Sequence, residues 1–73
     1  MTHELDAIGL LCPLPVLKAR KRLQALQSGE TLAVLADDPA AIVDIPHFCT
    51  EAGHTLQSID DQGAVQRYLI LKG

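Results

Sequence analysis

The residues of this sequence best equipped to do chemistry are Cys12-Pro13-Leu14-Pro15. A thiol acts as a nucleophile in its thiolate form, and a thiol at a helix start ionises more readily because the helix dipole favours negative charge there. Gly9 closes an apolar segment just upstream and a helical pattern begins at Leu14, so the spacing places Cys12 at the helix cap, with Gly9 shaping the turn. Pro13 then becomes the first helical residue and Pro15 the third, positions whose amide hydrogens have no partner inside a helix, so the prolines cost it little. They also remove two local donors, which leaves the Leu14 amide as the expected partner of the sulfur. Pro15 biases Leu14 away from helical angles, so an irregular first turn is expected. The expectation is an exposed Cys12 thiol with a lowered pKa.

What surrounds this thiol narrows its use. No second cysteine follows at Cys-X-X-Cys spacing, and no histidine or acid lies close in sequence to serve as a dedicated base. The other cysteine, Cys49, falls beside Ile45 and Phe48 at the edge of an apolar helical face, where packing is the expected role. The segment from Met1 to Asp6 lacks the basic start and apolar run of a signal peptide, and no apolar stretch approaches a membrane span. The reading is a cytoplasmic protein with reduced thiols and no membrane association. An activated, exposed, solitary thiol then reads as a carrier that attacks the persulfide of a donor protein, holds the outer sulfur and surrenders it to the cysteine of an acceptor. No cofactor beyond the covalent cysteine persulfide is expected, and a monomer with transient interfaces suits such a relay. Two other classes compete. A non-catalytic binding or regulatory module would tolerate loss of Cys12, and a redox protein would need a bridge between Cys12 and Cys49.

The remaining polar residues carry weaker signals. His3, His47 and His54 form no metal-ligand spacing with each other or with the cysteines, so no metal is expected. Asp37-Asp38-Pro39 suits a helix start, with Asp38 capping and Pro39 at the first helical position. No role for Asp44 follows from the sequence. Four of the six Lys and Arg residues, Lys18, Arg20, Lys21 and Arg22, cluster just after the Cys-Pro motif. They form either a solvated helix face or, through Lys18, Lys21 and Arg22, a docking surface for an acidic partner that must reach the sulfur. The formal net charge of -3 argues against direct binding of nucleic acid, and one Phe, one Tyr and no Trp offer no platform for stacking bases.

The elements that must position Cys12 follow from periodicity. With 73 residues the chain is one domain, residues 1–73. Leu5 to Ile8 reads as a strand. Leu14 to Leu26 reads as a helix, with Val16, Ala19, Leu23 and Leu26 on one face and Lys18 and Lys21 on the other. The nearly continuous apolar run Thr31 to Ala36 reads as a central strand. A second helix starts at Asp38-Pro39, carries Ala41, Ile45, Phe48 and Ala52 at helical spacing, and ends at Gly53. Pro46 should kink it or split off its first turn. His54 to Asp60 and Ala64 to Leu71 read as an antiparallel hairpin. The order β-α-β-α-β-β predicts an α/β two-layer sandwich, with two helices on one face of a four-stranded mixed sheet.

Taken together, the stretch Leu5-Asp6-Ala7-Ile8-Gly9-Leu10-Leu11-Cys12-Pro13-Leu14-Pro15, then Ala36-Asp37-Asp38-Pro39, Asp44-Ile45-Pro46-x-Phe48-Cys49 and Gly53-His54, resembles the TusA (SirA-like) sulfur-carrier family over nearly the whole chain. The resemblance implies that Cys12 receives persulfide sulfur from a cysteine desulfurase or a rhodanese-type enzyme. It implies delivery to a downstream acceptor protein, in the best-known route toward 2-thiouridine in tRNA. Other members serve molybdenum-cofactor synthesis and sulfur oxidation. This chain departs from the tRNA-thiolation branch at Leu11, where members often carry Arg, and at Leu14, where some carry Glu; both residues adjoin the sulfur.

Overall fold

A computed structural model, which describes residues 2–73, builds the chain around the apolar run at 31–36. The elements are β1 (Thr2–Asp6), α1 (Leu14–Gln24), β2 (Thr31–Ala36), α2 (Ala41–Ala52), β3 (Thr55–Asp61) and β4 (Gln66–Leu71). In the sheet the order is β1-β2-β4-β3. β2 pairs in parallel with β1 and antiparallel with β4, and β3 and β4 form the antiparallel hairpin, with an irregularity between Leu56 and Ser58. A strand with neighbours on both sides has no polar edge to show, which explains the nearly unbroken apolar reading of 31–36. Leu32, Ala33, Val34 and Ala36 are all buried.

Parallel pairing of β1 with β2 needs a crossover, and α1 supplies it. Both helices pack over the sheet: Ala19 and Leu23 of α1 and Ala41, Ile45 and Cys49 of α2 join Leu5, Leu32, Val34, Tyr68 and Ile70 in one core. The expected two-layer mixed sandwich is the one observed. Leu23 and Ile45 are fully buried. Truncating either to Ala would remove about 2–5 kcal/mol, a large share of what a domain of this size has.

Boundaries differ where turns compete with pattern. The first strand runs Thr2–Asp6 rather than Leu5 to Ile8, because the Asp6 carboxylate accepts the Ile8 amide at 2.9 Å and folds the chain into a turn there. α1 begins at Leu14, with Pro13 in the cap position and Pro15 second in the helix, so Cys12 stands one residue before the cap. α1 ends at Gln24, where the Ala25 and Leu26 amides turn to the carbonyls of Arg22 and Leu23. β3 and β4 each start one or two residues later than the pattern suggests, and the Gln62 amide closes their turn on the Val65 carbonyl at 2.9 Å.

The second helix corrects two expectations. It starts at Ala41, not at Pro39, and has no side-chain cap; the Ala41 amide instead bonds the main-chain carbonyl of Asp38 at 3.0 Å. Nor is it split at Pro46, which lies inside the element. Only about one turn of helix precedes that proline, close to the end where helices already lack partners. Cys49 is fully inside the core rather than at its edge, whereas Ala52 is exposed. The helix ends as expected on Gly53, whose φ of 80° is left-handed and whose amide returns to the Cys49 carbonyl.

The parallel pair sets up the site. β1 and β2 run out at the same end of the sheet, so the segments 7–13 and 37–40 that follow them emerge side by side.

Candidate functional site

Two adjacent aspartates tie these segments together. The Asp37 carboxylate accepts the Gly9 amide at 2.9 Å, and the Asp38 carboxylate accepts the Cys12 amide at 2.7 Å. Gly9 has a φ of 84°, a conformation that side chains disfavour, and this turn directs the chain toward Cys12. Asp38 is only 8% exposed. A carboxylate so removed from water is costly unless hydrogen-bonded, and the Cys12 amide, joined by the Ala40 amide at 3.3 Å, provides the bonds. Asp38 was expected to cap α2; its carboxylate instead fixes the backbone of Cys12.

The sulfur is exposed, as expected, but its partner is not the Leu14 amide, which donates to the Leu11 carbonyl at 2.8 Å. Pro13 and Pro15 have no amide hydrogen to offer, so this helix start gives the sulfur little. The Cys12 thiol donates instead to the Asp44 carboxylate at 2.9 Å. Asp44 sits in the first turn of α2, where a negative charge suits the helix dipole. The expected lowering of the thiol pKa is therefore reversed. The hydrogen bond to Asp44 leads the effects that push the Cys12 thiol above its ordinary value, followed by desolvation and then by the charges of Asp44 and Asp38. Cys12, Pro13 and Val16 face Asp44, His47 and Phe48 across a shallow hollow of about 240 Å³.

The other cysteine takes no part in this arrangement. Cys49 is buried, and burial pushes its thiol up to about 11. Both cysteines are free thiols. The histidines are dispersed: His3 bonds Glu30 at 2.8 Å, His47 lies 3.9 Å from Glu51 on the same helix, and the His54 ring accepts the Gly73 amide at 3.0 Å. Among the described residues, no three His, Cys, Asp or Glu side chains gather as a metal site, and no helix is long and apolar enough to cross a membrane.

Exposed apolar side chains flank both Cys12 and Asp44 in the sequence. Leu11 and Leu14, beside Cys12, are 69% and 46% exposed, and Ile42 and Val43, next to Asp44, are 50% and 68% exposed. Leu17, Lys18 and Lys21 lie three, four and seven residues after Leu14, the spacing of a single face of α1. Lys18, Lys21 and Arg22 line one groove of about 500 Å³ with Leu5 and Leu17. The Arg22 guanidinium donates to the Glu4 carbonyl at 3.0 Å, which spends part of its capacity on β1. Arg20 points elsewhere, beside Phe48, Glu51 and Ala52. Sequence reasoning thus located Cys12, Gly9, Pro13, Leu14 and Pro15 in one loop and helix start, but missed Asp44, which lies 32 residues from Cys12 and in no local motif with it.

The sequence matches the family described as Sulfurtransferase TusA over residues 3–72. Among solved structures, the fold is similar to the crystal structure of a SirA-like protein from Desulfitobacterium hafniense. The TM-score is 0.83 at 26% identity, over 100% of this chain and 99% of that one.

Proposed function

The chain belongs to the TusA sulfurtransferase family, and from that premise we propose that it is a persulfide carrier whose sulfur rides on Cys12. In this reading the thiol attacks the outer sulfur of a donor protein's persulfide, a cysteine desulfurase or a rhodanese-type enzyme, and the resulting Cys12 persulfide passes that sulfur to an acceptor protein. The observation that carries the reading is the placement of Cys12: an exposed thiol on a backbone anchored by the buried Asp38, with the other cysteine sequestered in the core. No resident cofactor is invoked, since a covalent persulfide is the whole intermediate.

The surroundings suit a carrier that works inside its partners. The exposed apolar side chains Leu11, Leu14, Ile42 and Val43 would be covered on docking, and the Lys18, Lys21 and Arg22 groove would receive acidic side chains of the same partner. Leu14 and Lys21 are seven residues apart on α1, about 10 Å along its axis, so one modest interface spans both. For the route, the proposal is tRNA 2-thiouridine synthesis, in the cytoplasm and with the protein as a monomer between partners; sulfur delivery for molybdenum-cofactor synthesis or sulfur oxidation is the alternative.

The test is intact mass spectrometry, without reductant, of wild type, Cys12→Ser and Cys49→Ser after incubation with a cysteine desulfurase and free cysteine. Wild type and Cys49→Ser should gain sulfur atoms that dithiothreitol removes, and Cys12→Ser should gain none. Sulfur that follows Cys49 would overturn the site, and absence of loading by desulfurases and rhodanese-type donors alike would overturn the carrier reading.

A further inference from the structure

We infer that Asp44 is a working residue of the sulfur site, holding empty Cys12 as a neutral thiol and disfavouring the anionic persulfide, so that the carrier is biased toward giving its sulfur away. This rests on the carrier reading above and adds to it the residue that sets the balance between empty and loaded states. The geometry carries the argument. One Asp44 oxygen lies 2.9 Å from the Cys12 sulfur, and an ionised carboxylate can only accept hydrogen bonds, so it favours S–H and opposes S⁻.

The chemistry can be followed through one cycle. On loading, the Cys12 sulfur forms a bond to the outer sulfur of the donor's neutral persulfide, the donor's S–S bond breaks, and the electron pair leaves on the donor cysteine. That cysteine gains the proton that Cys12 loses, so a persulfide and a thiol have exchanged places. The new persulfide is more acidic than a thiol and releases its own proton to water. An anion now sits where the neutral S–H group was, facing Asp44 and, behind it, the Asp38 carboxylate that holds the Cys12 amide. The other titratable group lining the hollow is His47, whose side chain is strongly exposed and faces Glu51. On the α1 side the hollow presents only Pro13 and Val16. When an acceptor thiol takes the outer sulfur, Cys12 regains a proton and its bond to Asp44. The loaded state loses a hydrogen bond and gains a repulsion, and the empty state has the reverse.

The position also explains why an aspartate can stand there. The first turn of α2 accommodates its charge, and its half-buried side chain lines the hollow rather than joining the core. In an exposed site such an interaction is modest. Its effect on an equilibrium is on the order of twofold to fivefold, enough to tilt a relay without preventing loading.

The experiment uses the whole protein and glutathione persulfide as the probe, which removes any dependence on a protein donor. Sulfur partition between Cys12 and excess glutathione is measured by intact mass at pH 8 for wild type, Asp44→Asn and Asp44→Ser, with circular dichroism as the check on folding. Both variants should shift the partition toward loaded Cys12 by about twofold to fivefold. The alkylation rate of Cys12 by iodoacetamide should rise at neutral pH, with its pH profile moving to lower pH. High salt should narrow the difference from wild type. If wild-type Cys12 takes up sulfur but the folded variants partition and alkylate as wild type does, the role of Asp44 is overturned while the carrier reading survives. A profile that moves with His47→Gln and not with Asp44→Asn would also overturn it. Failure of wild type to accept sulfur from glutathione persulfide or any protein donor would instead remove the carrier reading itself.

Discussion

Replacing Asp38 tests whether a buried carboxylate holds the sulfur-bearing loop. Its shorter bond, 2.7 Å to the Cys12 amide, is a charge-assisted one worth about 1.5–3 kcal/mol. The second, 3.3 Å to the Ala40 amide, is at the weak end and adds about 0.5 kcal/mol. Removing the carboxylate also removes the cost of keeping it 8% exposed, so Asp38→Ala should lose about 1–2 kcal/mol net. For a domain of this length that corresponds to a drop in Tm of roughly 5–15 °C. Asp38→Asn keeps one acceptor oxygen and should lose less. The assay pairs thermal denaturation by circular dichroism with sulfur loading under conditions where both variants remain folded; loading of Asp38→Ala should be slower because the Cys12 backbone is no longer fixed. An Asp38→Ala protein as stable as wild type and loaded at the same rate would refute the anchoring argument.

Other expectations follow from single features. Cys49 is an acid whose folded pKa, about 11, lies above its ordinary 9.0. Its contribution to stability is therefore full below about 9 and lost as pH rises toward 11, by about 1–2 kcal/mol, so Cys49→Ala should flatten the alkaline limb of a pH–stability curve while lowering stability at neutral pH. His54 is a base whose pKa is lowered by burial and then by Lys72. The stability linked to its neutral ring is present above about 6.5 and falls as pH drops through the lowered value, which an NMR titration of the ring would follow. Gly53→Ala places a side chain at a φ of 80° and should cost about 1 kcal/mol in denaturant unfolding with no change in Cys12 alkylation. The double change Lys18→Glu and Lys21→Glu should weaken complex formation with a sulfur donor severalfold in low salt, and less so in high salt; unchanged binding at both salts would place the docking surface elsewhere.

The fold was legible because its pattern is simple: alternating strands and helices, a nearly unbroken apolar strand at 31–36, and helical spacing through Ala19, Leu23, Ala41 and Ile45. Helix starts were less legible, for a physical reason. Asp38 and Asp37 look like capping residues, yet their carboxylates turn across to Cys12 and Gly9, a choice that exists only once parallel pairing has brought the two loops together. The electrostatics of the thiol were misread for the same reason. Local sequence shows Cys12 a helix start, and the structure shows it a carboxylate from another helix. Nothing within the Cys-Pro motif points to Asp44.

The central claim is that sulfur resides on Cys12 and moves on, so the most direct measurement follows one labelled sulfur through the protein. The carrier is loaded with radiolabelled sulfur, separated from its donor, and mixed with an acceptor protein bearing a reactive cysteine. The account predicts that label leaves the carrier, appears on the acceptor in a form released by dithiothreitol, and returns Cys12 to a free thiol, with no transfer through Cys12→Ser. Label that stays on the carrier, or that reaches the acceptor equally well through Cys12→Ser, would contradict it.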